Sequence, residues 1–225
     1  MAEADRNVIV VGGSAAGLRC ACRLARLQPG WSIKIIEAKE IFGYSACGLP
    51  YVLSGDLESL AVLRRTDYMV VKDETYFSNY KGVEILAGHR ALEIDTEKRV
   101  VRVEGPGGPM ALPWDDLVVA TGSTPVPLPG HRDHPRIVTF HTWDDVKPLK
   151  QKLAGGELER VAIVGAGPTG CELAEAFRSL WGAEVTLIDA AASPLPAVLD
   201  PEVGALVAGQ LESKGVRVIL SLIHI

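Results

Sequence analysis

The chain has 225 residues, 48% of them hydrophobic, and a formal net charge of -5, so it is long enough for one large or two small buried cores. Its mild acid excess gives no attractive field for a polyanion, which argues against nucleic acid or an anionic membrane surface as a partner. Met1 to Arg6 lack the basic start and apolar core of a signal peptide, and no apolar stretch approaches the roughly 18 residues of a membrane span, so a cytoplasmic protein is expected.

Along the chain, Asn7 to Gly12 reads as a fully buried parallel strand, followed by a helix over Ala15 to Gln28 that Pro29 and Gly30 end. Ile33 to Glu37 is a second buried strand. Cys47 opens a short helix, because Pro50 lacks a backbone N–H and is tolerated only in a first helical turn. Asp73 to Tyr80 makes another helix, and a β-rich segment runs from Val83 to Leu112 around the turn Gly105-Pro106-Gly107-Gly108-Pro109. Leu117 to Ala120 is a further buried strand that enters Thr121-Gly122. Proline and glycine cluster from Pro125 to Pro135 and mark a connector. Thr142 to Leu153 reads as a polar-faced helix, after which a strand (Val161 to Gly165), a helix (Thr169 to Trp181) and a strand (Val185 to Asp189) repeat the opening plan. A helix over Pro201 to Lys214 and a strand over Val216 to Leu220 follow. The expected fold class is α/β, with two Rossmann-like dinucleotide-binding domains: residues 1–150, carrying the β-rich insert, and residues 151–225, an incomplete unit.

Each half carries a glycine-rich turn between strand and helix: VIVVGGSAAG (Val8 to Gly17) and VAIVGAGPTG (Val161 to Gly170). Glycines there let a backbone approach a pyrophosphate, while the helix N-terminus supplies free N–H groups and a positive dipole. An acid at the end of the next strand takes the ribose hydroxyls; Glu37 stands 25 residues after Gly12 and Asp189 stands 24 after Gly165. In the first turn (Gly12, Gly13, Ser14, Ala15, Ala16, Gly17), Ser14 replaces the second glycine, whereas the second turn keeps Gly165, Gly167 and Gly170. The Asp189 carboxylate repels a 2'-phosphate and Ala190, Ala191 and Ala192 offer no arginine to attract one, so NADH is favoured over NADPH.

The four cysteines have neither zinc spacing nor the density of a disulfide scaffold. Cys20 and Cys22 fall on a helix and read as packing residues. Cys47, within Ser45-Ala46-Cys47-Gly48-Leu49-Pro50-Tyr51, sits at a helix start, where the dipole favours a thiolate able to attack disulfides and peroxides. His89, His131, His134 and His141 have no metal spacing and read as surface or turn residues.

Gly12 to Gly17, Glu37, the block Cys47-Gly48-Leu49-Pro50-Tyr51, Ala120-Thr121-Gly122 and Gly165 to Gly170 together make a chain that resembles the pyridine nucleotide-disulfide oxidoreductases. The similarity is to the branch with a single redox cysteine: CoA-disulfide reductases, persulfide reductases, NADH oxidases and peroxidases. It implies that Gly12, Gly13, Ser14, Ala15, Ala16, Gly17 and Glu37 hold the ADP half of FAD, with Thr121 and Gly122 as a further flavin-domain contact. It implies likewise that Gly165, Gly167, Gly170 and Asp189 hold NADH. Hydride then passes from nicotinamide to flavin, and the reduced flavin restores Cys47 from a mixed disulfide or another oxidised form; the partner thiol of two-cysteine members is absent near Val52.

Ala15 and Ala16 stand where the peroxidase and oxidase members place a catalytic histidine, which points away from peroxide chemistry. Arg19, Arg23 and Arg26 fall on one helical face, and in CoA-disulfide reductases this helix helps to hold the CoA phosphates, although a solvated basic face fits the same spacing. Against CoA, Gly43 and Ala46 replace the family's Ser and Asn ahead of the cysteine. The resemblance also implies segments beyond this chain: the rest of the NAD domain, a Gly-Asp segment closing on the flavin, and a dimerisation domain that would make the parent a homodimer. The chain is accordingly expected to be a poorly active fragment, and residues 220–225 read like a translated transposon-end sequencing adapter. Three readings stay open: a thiol enzyme acting on a low-molecular-weight disulfide or persulfide, a flavin electron-transfer reductase for a protein partner, and a nucleotide-binding fragment without chemistry.

Overall fold

A computed structural model describes residues 6–126, 128 and 134–221; His131, much of the Pro125 to Pro135 connector, and residues 222–225 of the suspected adapter lie outside them. The chain divides into two compact units, Met1–Ala46 with Ala61–Pro129, and Cys47–Leu60 with Gly130–Ile225. This is not a single cut at residue 150. The segment after Cys47 and the helix over residues 143–154 both pack within the second unit, because their apolar side chains are buried there.

The first unit is built on a parallel sheet of β1 (Asn7–Val11), β2 (Ser32–Glu37), β3 (Glu84–Ala87) and β7 (Asp116–Val119), in the order β3-β2-β1-β7. β1 reads as a continuous apolar run because both of its faces are covered. Val8 and Val10, with Ile33 and Ile35 of β2, pack against Ala21 of α1 (Ala15–Leu27) and Phe77 of α3 (Glu74–Lys81). Ile9, Val11 and Ile36 face the other way onto Val101 and Val103. Those two valines belong to β5 (Val100–Gly105), the middle strand of an antiparallel sheet with β4 (Arg90–Asp95) and β6 (Gly108–Pro113). The β-rich insert is therefore β4 to β6 alone; β3, at the start of the predicted β-rich segment, is a strand of the parallel sheet, paired to β2 from Lys34↔Glu84 to Glu37↔Ala87.

The second unit repeats the plan with β8 (Arg160–Val164), β9 (Glu184–Ile188) and β10 (Arg217–Ile219) in the order β10-β9-β8. Around it lie α4 (Trp143–Ala154), α5 (Pro168–Ser179) and α6 (Pro201–Ser213). α4 starts at Thr142, whose backbone N–H and Oγ1 hydroxyl both donate to Asp145 Oδ2, at 2.7 and 3.0 Å. Val146, Leu149 and Leu153 form its buried stripe, and the last two join the core of Ile163, Leu173, Phe177, Val185 and Leu187. α2 (Leu49–Leu53) contributes Leu53 to the same core. Among the described residues no helix is long and apolar enough to cross a membrane.

Each first helix is set against its strand by one glycine. A Cβ on Gly17 would lie 1.9 Å from the Gly12 carbonyl oxygen, and a Cβ on Gly170 would lie 1.8 Å from that of Gly165. Gly167, with φ -74°, has open space where a Cβ would be. Gly170→Ala is accordingly expected to lose about 2 kcal/mol or more of stability by overpacking, whereas Gly167→Ala costs under about 1 kcal/mol as a helix-cap change; urea denaturation of both variants checks the contrast.

Candidate functional site

The two turns are built alike from the backbone upward. Gly12 (φ +112°) and Gly165 (φ +109°) take a conformation that side chains disfavour, and their N–H groups close the turns onto the Ile36 and Ile188 carbonyls at 2.9 and 2.8 Å. In the first turn the N–H of Gly13 donates to Glu37 Oε2 at 2.7 Å, and that of Lys39 donates to Glu37 Oε1 at 2.9 Å. In the second, the Ala166 N–H donates to Asp189 Oδ2 at 2.6 Å and the Ala191 N–H to Asp189 Oδ1 at 2.7 Å. Each carboxylate oxygen therefore accepts one backbone bond and retains a lone pair for a further donor, such as a ribose hydroxyl.

The acids differ by one methylene, and the turns compensate. A Cβ on Gly13 would lie 3.0 Å from both Cβ and Oε2 of Glu37, so a side chain there would crowd the acid. Opposite the shorter Asp189 stands Ala166, whose methyl is fully buried.

Both helices after the turns begin without a side-chain cap. Ser14, exposed and in extended backbone, makes no side-chain hydrogen bond into α1, and Gly167 has no side chain to offer α5. Ala15 and Ala16 are exposed on the first turn of α1. The first-turn amides thus face outward uncapped by any side chain, the arrangement that suits an anion. Ala120 lies at the same end of the sheet: its N–H donates to the Val11 carbonyl at 2.8 Å, and its own oxygen would lie 2.1 Å from a Cβ on Gly12. Thr121 and Gly122 (φ +75°) follow it, both exposed. Gly12 to Gly17, Glu37, Ala120 and Thr121 therefore converge within the first unit, as Gly165, Gly167, Gly170 and Asp189 do within the second.

Cys47 is exposed and belongs to the second unit. It lies in the 3-10 turn Ala46–Gly48, followed by an α-helix of only five residues, Leu49–Leu53. A helix that short carries a small fraction of a full helix dipole, so the polarisation expected at Cys47 is weaker than a long helix would supply. Of the remaining cysteines, Cys20 is exposed and does not pack, contrary to its sequence reading; Cys22 packs against the first core. Burial pushes the Cys22 thiol up in pKa, opposed by the charges of Lys81, Arg26 and Arg19. Burial also raises Cys171, with Glu172 and Asp189 acting in the same direction, and its sulfur donates to the Ala166 carbonyl at 3.6 Å. Cys47 and Cys20 are the exposed thiols.

Arg19, Arg23 and Arg26 are all exposed along α1. Lys81, in the last turn of α3, adds a fourth cation near Cys22. It escaped the sequence reading because it stands 55 residues after Arg26 and nothing local ties the two helices together. Trp181 and Leu180, which reach the segment after Cys47, escaped it for the same reason.

The family model described as pyridine nucleotide-disulphide oxidoreductase matches residues 6–222. A NAD(P)H coenzyme A polysulfide/persulfide reductase from Pyrococcus horikoshii is 31% identical over 208 residues, 92% of this chain and 44% of that protein. A NADH oxidase from Methanocaldococcus jannaschii is 27% identical over 218 residues, 96% of this chain and 47% of that protein. Among solved structures, a NAD-dependent persulfide reductase from A. fulgidus matches with a TM-score of 0.90 at 36% identity, covering 96% of this chain and 40% of that one. The chain thus spans less than half the length of these relatives. Paired glycine turns with carboxylates fixed behind them and a match over nearly every residue lead to one conclusion: the chain belongs to the pyridine nucleotide-disulphide oxidoreductase family.

Proposed function

We propose that this chain is the part of an NADH-dependent flavoprotein that reduces a low-molecular-weight disulfide or persulfide, such as CoA disulfide, at Cys47. The observation that carries the reading is the duplicated turn, with one carboxylate in each unit held by two backbone amides, on a chain whose exposed Cys47 follows the first of them. The names of the similar proteins support the same class, because two of them are persulfide reductases.

In this reading the unit of Met1–Ala46 with Ala61–Pro129 binds FAD, and the other unit supplies Cys47 and the start of the NADH domain. Gly12 to Gly17 and Glu37 take the ADP half of FAD, with Thr121 and Gly122 beside it. Gly165, Gly167, Gly170 and Asp189 take NADH. Gly167 fits this role because the fold makes no demand for a glycine there: its φ is ordinary and no atom lies within 4 Å of the missing Cβ. An absent side chain that packing does not require leaves room for a pyrophosphate. FAD, when bound, supplies a two-electron carrier that accepts hydride from NADH.

Cys47 does the substrate chemistry. Its thiolate attacks one sulfur of R–S–S–R, forming Cys47–S–S–R and releasing R–S⁻. Two electrons then cleave the mixed disulfide, which restores the Cys47 thiolate and releases the second R–S⁻. Arg19, Arg23 and Arg26, joined by Lys81, form an exposed basic face suited to the phosphates of a CoA-type substrate.

Cys47→Ser in the whole protein is expected to abolish disulfide reduction, by about a hundredfold or more, while NADH still bleaches the flavin absorbance in a stopped-flow trace. A variant that kept full turnover would instead favour electron transfer to a protein partner. Gly167→Val is expected to keep the melting temperature within a few degrees yet to weaken NADH binding about tenfold or more, as titration calorimetry can measure. The Asp189 carboxylate disfavours a 2'-phosphate, so NADH should bind more tightly than NADPH. Asp189→Ala combined with Ala190→Arg should reverse that ratio and, by freeing the Ala166 and Ala191 amides, lower stability by about 1–2 kcal/mol.

A further inference from the structure

Helix α5 opens on the second glycine turn and runs for 12 residues, about 18 Å of helix. Its far end reaches the chain just after Cys47. The Trp181 indole Nε1–H donates to the Leu53 carbonyl at 2.8 Å. Leu53 is the last residue of α2, so its oxygen is among those a helix leaves without an internal partner. One residue earlier, Leu180 lies over Gly55: a Cβ there would be 2.8 Å from Leu180 Cδ2, and Gly55 has φ +83°. The Leu53 side chain is fully buried in the core that also holds Leu173 and Phe177 of α5 and Leu149 and Leu153 of α4. Beyond it, Lys150 Nζ donates to the Glu58 carbonyl at 3.4 Å.

A five-residue helix has no stability of its own, so α2 is held by its buried Leu49, Pro50, Val52 and Leu53 and by these contacts at its C-terminal end. Leu53 burial alone would anchor the segment radially. The indole bond fixes it along the helix axis, and Leu180 on Gly55 fixes where the chain turns away. Neither residue lies near the glycine turn, so nucleotide binding does not account for them.

We propose that Trp181 and Leu180 are positioning residues for Cys47: the C-terminal end of α5 clasps the segment that carries the thiol, so the helix that begins at the nucleotide turn also holds the sulfur in place. The functional meaning rests on the reading of Cys47 as the redox sulfur. The clasp itself is measurable without flavin or turnover.

The test is hydrogen–deuterium exchange by mass spectrometry on the 225-residue chain, with Cys47 and Cys20 alkylation by iodoacetamide followed peptide by peptide. Trp181→Phe keeps a ring and removes the donor, and Leu180→Ala leaves Gly55 uncovered. In both variants exchange over residues 51–57, which include the Ser54 and Leu57 amides bonded to Pro50 and Tyr51, should rise, in Trp181→Phe by about fivefold to tenfold, the loss of roughly one net hydrogen bond. Alkylation of Cys47 should quicken at least about twofold while Cys20 keeps its rate and β9 keeps its protection, since local opening is confined to its own unit of structure. Unchanged exchange over 51–57 in both variants overturns the proposal. So does a rise spread equally over β8, β9 and α5, or a loosened segment whose Cys47 rate does not move. A redox-inert Cys47, seen as a Cys47→Ser enzyme of full activity, sinks the functional reading alone and leaves these exchange results to be judged separately.

Discussion

The tightest constraint in this molecule is the lack of room between a helix and the strand before it. The Gly12 and Gly165 carbonyl oxygens stand where any side chain on Gly17 or Gly170 would place its Cβ, at under 2 Å. Because the helix lies so close, its first turn points past the end of the strand with its amides outward, and the next strand returns alongside with its terminal acid facing the turn. The carboxylate then fastens the loop by two amides in each unit. Outward-facing N–H groups and an oriented carboxylate both follow from one packing contact.

Function in this arrangement is a matter of which parts share a body. The residues proposed for FAD converge in the unit formed by Met1–Ala46 and Ala61–Pro129, whereas Cys47 and the residues proposed for NADH belong to the other. The thiol segment is thus an excursion of the first half of the sequence into the packing of the second. It is held there by Leu53 in the core and by the indole of Trp181, 128 residues further on.

The strands, the turns and their acids were legible in the sequence because their signals are local. Apolar runs mark strands covered on both faces, glycines mark turns that only they can make, and the distance from glycine to acid is the length of one helix and one strand. The basic stripe of Arg19, Arg23 and Arg26 was legible from helical spacing, and all three are exposed. What escaped the reading depends on contacts between distant residues. No periodicity reveals that α4 and Cys47–Leu60 fold with the second unit, that β3 pairs with β2, or that Lys81 joins the arginines near Cys22. Cys20 was misread because a cysteine on an amphipathic helix suits a core by type, and only the packed face decides which of two near neighbours enters it. The helix at Cys47 was read as short, as it is, but its start was set too early: the α-helix begins at Leu49, and Cys47 lies in the 3-10 turn before it.

The two turns superficially look like copies of a single part, yet Gly13 with Glu37 and Ala166 with Asp189 divide the same space differently. Glu37 reaches the Gly13 amide with one more methylene than Asp189 uses to reach the Ala166 amide. The halves are therefore not spare parts for each other, and anyone recombining such modules must move loop residue and acid together as one cassette.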